Sequence, residues 1–373
     1  MNKSFSVPKG MRDLILDECR TKRDLQNKIE KCFESWGYEE VITPSIEYFQ
    51  TYNVGFNGIQ EEDAYKFFDR SGKILMLRAD MTIPIARVAA TKFQNAKLPL
   101  RFYYEANVYK AHANLKGMHD EVTDCGVELI GCDEESGELE ILVTALEVLK
   151  LIGDKHIVFE IGNVKYFQKA CEVLQLTQEQ IYRLSELIDN KRLKALDDYL
   201  KELKLNETAS LFFNQLPWLS GDEKILSEAK KYAFDPSLVE IINNMEKLNS
   251  LLKRLGYQDI HYDLGKATNI NYYTGLIFEA FIEGVGTRIL SGGSYNKLIG
   301  KYGKNLNATG FSIKIDSLLE VVPMVPKASY LLLKYPSYLT VEAFSKAKEL
   351  RKENIVKLEI DNSINEIEIE EVA

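Results

Sequence analysis

Apolar residues recur along this chain at two different spacings, and the alternation between them outlines its elements. Over residues 21–36, Leu25, Ile29, Cys32, Phe33 and Trp36 share one stripe at helical period, which predicts an amphipathic helix closed by Gly37. A short strand over 38–42 leads to Pro44. KFFDRSGKILMLR predicts two strands about a turn at 69–72. LRFYYEANVYK and TDCGVELIG predict two more, flanking a polar, glycine-containing loop, HANLKGMHDE. Helical spacing returns over 136–153, and HIVFEIGN reads as another strand.

From about 165 to 253 Leu, Lys and Glu dominate at helical period, as in LSELIDNKRLKALDDYLKELKL, which reads as an inserted helical subdomain. Strands resume at IHYDLG, GLIFEAFIEG and TRILSGG, the last two predicting a hairpin about 284–286. ATGFSIKI and a helix from about Asp316 close the core. Hairpin-joined strands with helices before and after them imply an antiparallel sheet in an α+β domain. The segment SYLLLKYPSYLTVEAFSKAKELRKENIVKLEID reads strand–helix–strand, short for an independent domain. Glu366, Glu368, Glu370 and Glu371 after it read as a solvated acidic tail.

The length, 373 residues, fits two or three domains, and 45% hydrophobic with 28% charged residues is the composition of a globular protein. The formal net charge of -9 weighs against nucleic acid as a partner, since phosphate neutralisation supplies most of such affinity. Five scattered cysteines without a C-x-x-C argue against a disulfide framework or a zinc site. The opening MNKSFSVPKGMRD lacks the apolar run of a secretory leader, and no window approaches the roughly 18 apolar residues of a membrane span. A cytoplasmic location, with no membrane partner, is expected. No P-loop or G-x-G-x-x-G occurs, and no cofactor is expected. Gly292-Gly293 reads as a turn or a close backbone approach rather than a phosphate cradle. His112 and His119 lie in a polar loop without a nearby cysteine, so a metal is not expected there, and His156 and His261 read as structural.

Taken in order, these segments resemble the core of a class II aminoacyl-tRNA synthetase, specifically the histidyl-tRNA synthetase family. VPKGMRD (7–13) is similar to that family's opening G-x-x-D stretch, and GYEEVITPSIE to motif 1, which forms the family's dimer interface. LRADMT (77–82) resembles the synthetase segment LRPEGT, and 101–131 lies along motif 2. NINYYTGLIFE (269–279) and SGGSYNKLIGKYG (291–303) resemble the two histidyl signatures, and NATGFSIKIDSLL (307–319) lies where motif 3 belongs. The resemblance covers roughly 1–325, with 165–253 as the helical insertion. It leaves 326–373 as a truncated α/β remnant of the anticodon-binding domain.

The departures bear on function. Adenylation by ATP is mostly charge work, done in the synthetases by arginines. By the resemblance, the positions of those arginines hold Lys110, Ala113, Met118, Asp120, Thr268 and Ser317. The stretch 101–128 keeps only Arg101, Lys110 and Lys116 against Glu105, Asp120, Glu121, Asp124 and Glu128. The amino-acid side is less eroded. The resemblance places Glu128 and Tyr273 at the two imidazole nitrogens of histidine, and Asp80 where a glutamate holds the α-amino group. Thr82, Tyr272 and Tyr295 stand at wall positions, and Asp124 replaces a glutamine. The ligand carboxylate beside Asp124 would then need another cation.

A synthetase-like core without adenylation cations or a full tRNA-binding domain resembles the family of ATP phosphoribosyltransferase regulatory subunits. That resemblance implies a non-catalytic role, a short-form catalytic subunit as partner, self-association through the motif 1 region, and histidine as feedback effector. A free-standing histidine-sensing module and a diverged histidyl-tRNA synthetase are the competing expectations.

Overall fold

The computed structural model describes residues 5–53, 61–112, 119–153, 155–266 and 273–372. The chain divides into two compact units, residues up to 13 together with 25–322, and residues 14–24 together with 323–373.

The predicted amphipathic helix is α1 (Asp17–Ser35), whose Leu25, Ile29 and Phe33 are buried in the first unit. Gly37 ends it at φ +77°, a left-handed conformation that glycine adopts without a Cβ clash. β1 (Glu39–Glu40) is shorter than the strand predicted over 38–42, although Val41 N still donates to Tyr103 O at 2.8 Å. The next elements are β2 (Ile46–Tyr48), α2 (Phe49–Asn53), β3 (Lys66–Phe68), β4 (Ile74–Leu77) and α3 (Thr82–Lys92). β5 (Leu100–Tyr109), β6 (Glu121–Ile130), α4 (Glu134–Lys150) and β7 (Ile157–Asn163) then build the centre.

The insertion comprises α5 (Val164–Val173), α6 (Gln178–Asp189), α7 (Leu193–Glu202), α8 (Glu207–Gln215), α9 (Lys224–Tyr232) and α10 (Pro236–Arg254). Between α8 and α9 lies β8 (Ser220–Gly221), a two-residue strand with no sequence signal. β9 (Ile260–Asp263), β10 (Leu276–Ile282), β11 (Leu290–Ser294), β12 (Ala308–Lys314) and α11 (Ile315–Leu318) complete the unit.

Among the described residues the main sheet has nine strands in the order β1-β5-β6-β12-β11-β10-β7-β9-β8. Its pairs are antiparallel except β1–β5 and β7–β9. The predicted β10–β11 hairpin is present, turning at Gly284 with φ +92°. A separate antiparallel sheet runs β2-β4-β3. One face of the main sheet carries Tyr103, Cys125, Val127, Leu129, Phe311 and Ile313 into the core shared with α1 and α4. Phe33 of α1 sits 6.0 Å from Tyr103 and 5.9 Å from Phe311 between ring centroids. On the other face, Ile85, Ala86 and Ala89 of α3 pack with Phe102, Tyr104 and Tyr295. The fold is the α+β arrangement expected.

In the second unit β13 (Tyr330–Tyr335) pairs parallel with β14 (Val356–Ile360), and α12 (Thr340–Leu350) buries Ala343 and Ala347 against Leu333, Tyr335 and Val356. Glu366, Glu368, Glu370 and Glu371 are exposed, as expected of a solvated segment, but from Glu368 onward the backbone that carries them is a paired strand rather than a tail. β15 (Glu368–Val372) adds antiparallel to β13, and Glu370 meets Lys334 at 3.0 Å. The interleaved Ile367 and Ile369 supply a period-two pattern that the run of glutamates conceals, and Ile367 packs on the unit's core.

Replacing Ile369 and Glu370 together by proline removes ladder donors from β15. Urea unfolding followed by circular dichroism should report a loss of about 1–3 kcal/mol. An unpaired tail would leave the transition unmoved.

Candidate functional site

Along β6 the side chains alternate: Cys125, Val127 and Leu129 enter the core, and Asp124, Gly126 and Glu128 point to the opposite face. Such alternation ordinarily puts the polar set in water. Here Asp124 is 9% exposed and Glu128 1% exposed. The neighbouring register explains how two carboxyls fit. Across β12, Gly126 pairs with Ser312 and Glu128 with Gly310, and across β11 Ser312 pairs with Ser291 and Gly310 with Gly293. Small residues therefore floor this face. A Cβ at Gly310 would collide with the Glu128 carboxyl, and one at Gly293 with the Tyr273 ring. The Gly292-Gly293 dipeptide lies within β11 and makes the close-approach arrangement. Gly292 gives way to Phe278 and Phe311 on one face, and Gly293 to Tyr273 on the other.

Above this floor lies a cavity of about 460 Å³, within the range of small-molecule sites. Asp80, Thr82, Asp124, Tyr273 and Tyr295 line it. Glu128 sits directly behind the wall. Thr82 Oγ1 donates to its Oε1 at 2.8 Å, and the Tyr295 hydroxyl donates to its Oε2. Each oxygen retains a lone pair. Tyr272, also a candidate, lies outside the described residues, as do Ala113, Met118 and Thr268. Thr82 opens α3 and thereby aims its hydroxyl at β6; Asp80, just ahead, accepts from Ile83 N at 3.0 Å. Tyr52 fixes the same turn by donating to Asp80 O at 2.9 Å.

These carboxyls are held against their solvation preference. Burial pushes Glu128 up to about 8, against the Thr82 and Tyr295 donors that favour its ionised form. Burial pushes Asp124 up to about 6, opposed by Lys314 and Lys110 and assisted by Asp80 and Asp316. Asp80 is raised by burial as well. Asp124 Oδ1 is buried and accepts no hydrogen bond. At neutral pH a protonated Glu128 can offer its O–H to an unprotonated ring nitrogen, and once ionised it can accept an N–H.

The cations are arranged differently from the expectation drawn from 101–128. Arg101 is not in the cavity wall: it makes a two-pronged pair with Glu140 of α4, both contacts at 2.8 Å. Lys110 does line the cavity, and two further cations, Arg288 and Lys314, join it from outside motif 2. Period two along β12, from Gly310 through Ser312 to Lys314, was the available signal for Lys314. Arg288 is engaged with Glu279 at 2.6 Å, in a network where Lys266 bridges Glu279 and Glu160. Asp80, Asp120, Asp124, Asp316 and Glu320 share the cavity lining with these three cations.

His112 and His119 are cavity-lining residues. His112 Nδ1 lies 3.1 Å from Asp120 Oδ1. Burial opposes ionisation of Asp120, but hydrogen bonds from Tyr65 and His112 outweigh it and hold the carboxyl below its usual range. Among the described residues no group of His, Cys, Asp or Glu is gathered as metal ligands. His261, in β9, meets Ser220 of β8 at 2.9 Å.

A family model described as histidyl-tRNA synthetase matches residues 10–318. The ATP phosphoribosyltransferase regulatory subunit of Clostridium novyi (strain NT) is 35% identical over 358 residues, covering 94% of this chain and 85% of the relative. The chain belongs to the family of ATP phosphoribosyltransferase regulatory subunits. The regulatory subunit of Thermoanaerobacter pseudethanolicus is 36% identical over 353 residues, covering 93% of this chain and 92% of its own length. A crystal structure from Bacillus halodurans C, described as an ATP phosphoribosyltransferase regulatory subunit/histidyl-tRNA synthetase, superposes with a TM-score of 0.86 at 28% identity, covering 97% of this chain and 94% of that one. This regulatory-subunit chain thus carries the histidyl synthetase fold. Among its described residues no helix is long and apolar enough to cross a membrane.

The Glu128 shift gives a pH test. A carboxyl whose folded pKa is raised contributes stability below its unfolded value that is lost as pH rises through the folded one, here from about 4.5 to about 8. Glu128→Gln keeps the shape and removes the titration. Its melting temperature should therefore match the native chain near pH 4.5 and exceed it by a few degrees above pH 8. Parallel melting curves across that range would instead mean that Glu128 stays ionised.

Proposed function

We propose that this chain acts without chemistry of its own, as the regulatory subunit of a short-form ATP phosphoribosyltransferase in histidine biosynthesis, and that histidine is its inhibitory effector. The observation that carries the reading is a cavity where Asp80, Thr82, Asp124, Tyr273 and Tyr295 gather in front of Glu128 while carboxylates outnumber cations. Five carboxylates line the cavity against three cations, one of which is already engaged by Glu279. A charge-assisted hydrogen bond contributes about 1.5–3 kcal/mol. Losing several of them removes orders of magnitude of the transition-state stabilisation that adenylation needs. On this reading aminoacylation is not among its activities.

The amino-acid end suits an imidazole. Tyr273, Thr82 and Tyr295 line the cavity, and the Thr82 and Tyr295 hydroxyls are backed by Glu128. A ring N–H entering between those hydroxyls meets the buried carboxyl, which an aliphatic side chain would leave without a partner. Inhibition follows by linkage: histidine binds one state of the complex better than the other and shifts the population by that difference. Self-association falls to the motif 1 region, where Ile42 is 82% exposed and Ile46, Tyr48, Phe68 and Ile74 are exposed beside it.

Mixing the chain with a short catalytic subunit should restore phosphoribosyl transfer and make it sensitive to histidine. No stimulation would leave a free-standing histidine sensor as the better reading. Glu128→Ala should weaken histidine binding at least tenfold by calorimetry while leaving stimulation in place; unchanged affinity would put the ligand elsewhere. Histidine-dependent ATP–pyrophosphate exchange should stay at background, and a measurable rate would make the chain a synthetase.

A further inference from the structure

Asp124 and Lys314 are direct partners in the β6–β12 ladder. Residues opposite one another in an antiparallel pair project to the same side, and both of these line the cavity. Among the described residues neither charge is fully engaged. Asp124 Oδ1 is buried without a hydrogen bond, and among the described residues Lys314 Nζ makes no ion pair within 4.0 Å. An orphaned buried acceptor is costly unless something else satisfies it. Asp80 lies close enough to raise the Asp124 carboxyl further. Two carboxylates beside one unengaged ammonium match, with opposite sign, a ligand that carries an ammonium and a carboxylate on one carbon.

We propose that Asp124 and Lys314 form a zwitterion clasp: Lys314 Nζ takes the α-carboxylate of the bound amino acid, and Asp124 Oδ1, assisted by Asp80, takes its α-ammonium. The proposal rests on reading the cavity as an imidazole site and adds what selects the other end of the ligand. It also answers the charge problem created by Asp124. By resemblance a glutamine stands there and arginines balance the ligand, so a carboxylate at this position needs a cation in compensation. Lys314, straight across the ladder, supplies it. Arg288 is tied to Glu279, and Lys110 is exposed at the end of β5, so neither is the clasp's cation. The pocket then selects free α-amino acids and rejects decarboxylated or deaminated analogues.

Calorimetry on the full-length chain with L-histidine, histamine and imidazole-4-propionate separates the contributions. Native protein should prefer histidine over each analogue at least tenfold, the scale of one charge-assisted contact. Lys314→Met should bind histidine no better than histamine, with histamine affinity itself unchanged, which also shows that the pocket is folded. Should that variant lose histamine binding too, Lys314→Gln carries the same test. Asp124→Asn should weaken histidine and histamine at least tenfold and leave imidazole-4-propionate unweakened. A Lys314→Met protein that keeps the native preference for histidine over histamine overturns the clasp and leaves the imidazole site standing. Native protein that binds none of the three ligands overturns the imidazole site, and the clasp with it.

Discussion

The register between β6 and β12 is the constraint on which this molecule depends. It sets Glu128 against Gly310, where a side chain would occupy the carboxyl's place, and Asp124 against Lys314. A slip of one residue would turn Cys125, Val127 and Leu129 toward the cavity and drive three polar or small positions into the core beneath α1 and α4. The apolar face therefore enforces the register, and the register builds the pocket. Packing energy on one side of the sheet holds unfavourable electrostatics in place on the other.

That tension separates binding from catalysis. A buried carboxyl pushed toward neutral, a second with one oxygen lacking a hydrogen bond and a third beside them are poor company for a polyphosphate and good company for a small cationic or zwitterionic ligand. The remaining cations are distributed rather than focused. Arg101 braces α4 against β5, Arg78 ties the backbones at Thr43 and Asn107, and Arg288 is held by Glu279. These positive charges hold the scaffold together. On the proposed reading the synthetase-like fold serves recognition, and a regulatory role needs no more than recognition coupled to a second state.

Much of this was legible in the chain because the relevant signals are local. The α1 stripe, the hairpin at Gly284 and the period-two strands followed from spacing, and ordered motifs fixed the family and the cavity wall. What escaped needed partners distant in sequence. β8 exists only because β9 pairs with it, and β15 hid its isoleucines among glutamates. Lys314 and Arg288 were missed because the charge count stopped at motif 2, whereas the sheet brings β11 and β12 against β6. That Glu128 would sit behind Thr82 and Tyr295 rather than open to the cavity likewise needed three-dimensional packing. Tyr272 lies outside the described residues.

The central claim is that the cavity recognises an amino acid and has no place for a nucleotide. A crystal soaked with both histidine and magnesium ATP tests it most directly. Density for the amino acid alone, its ring toward Glu128 and Tyr273, is the predicted result. A triphosphate seated among Lys110, Arg288 and Lys314 would contradict it.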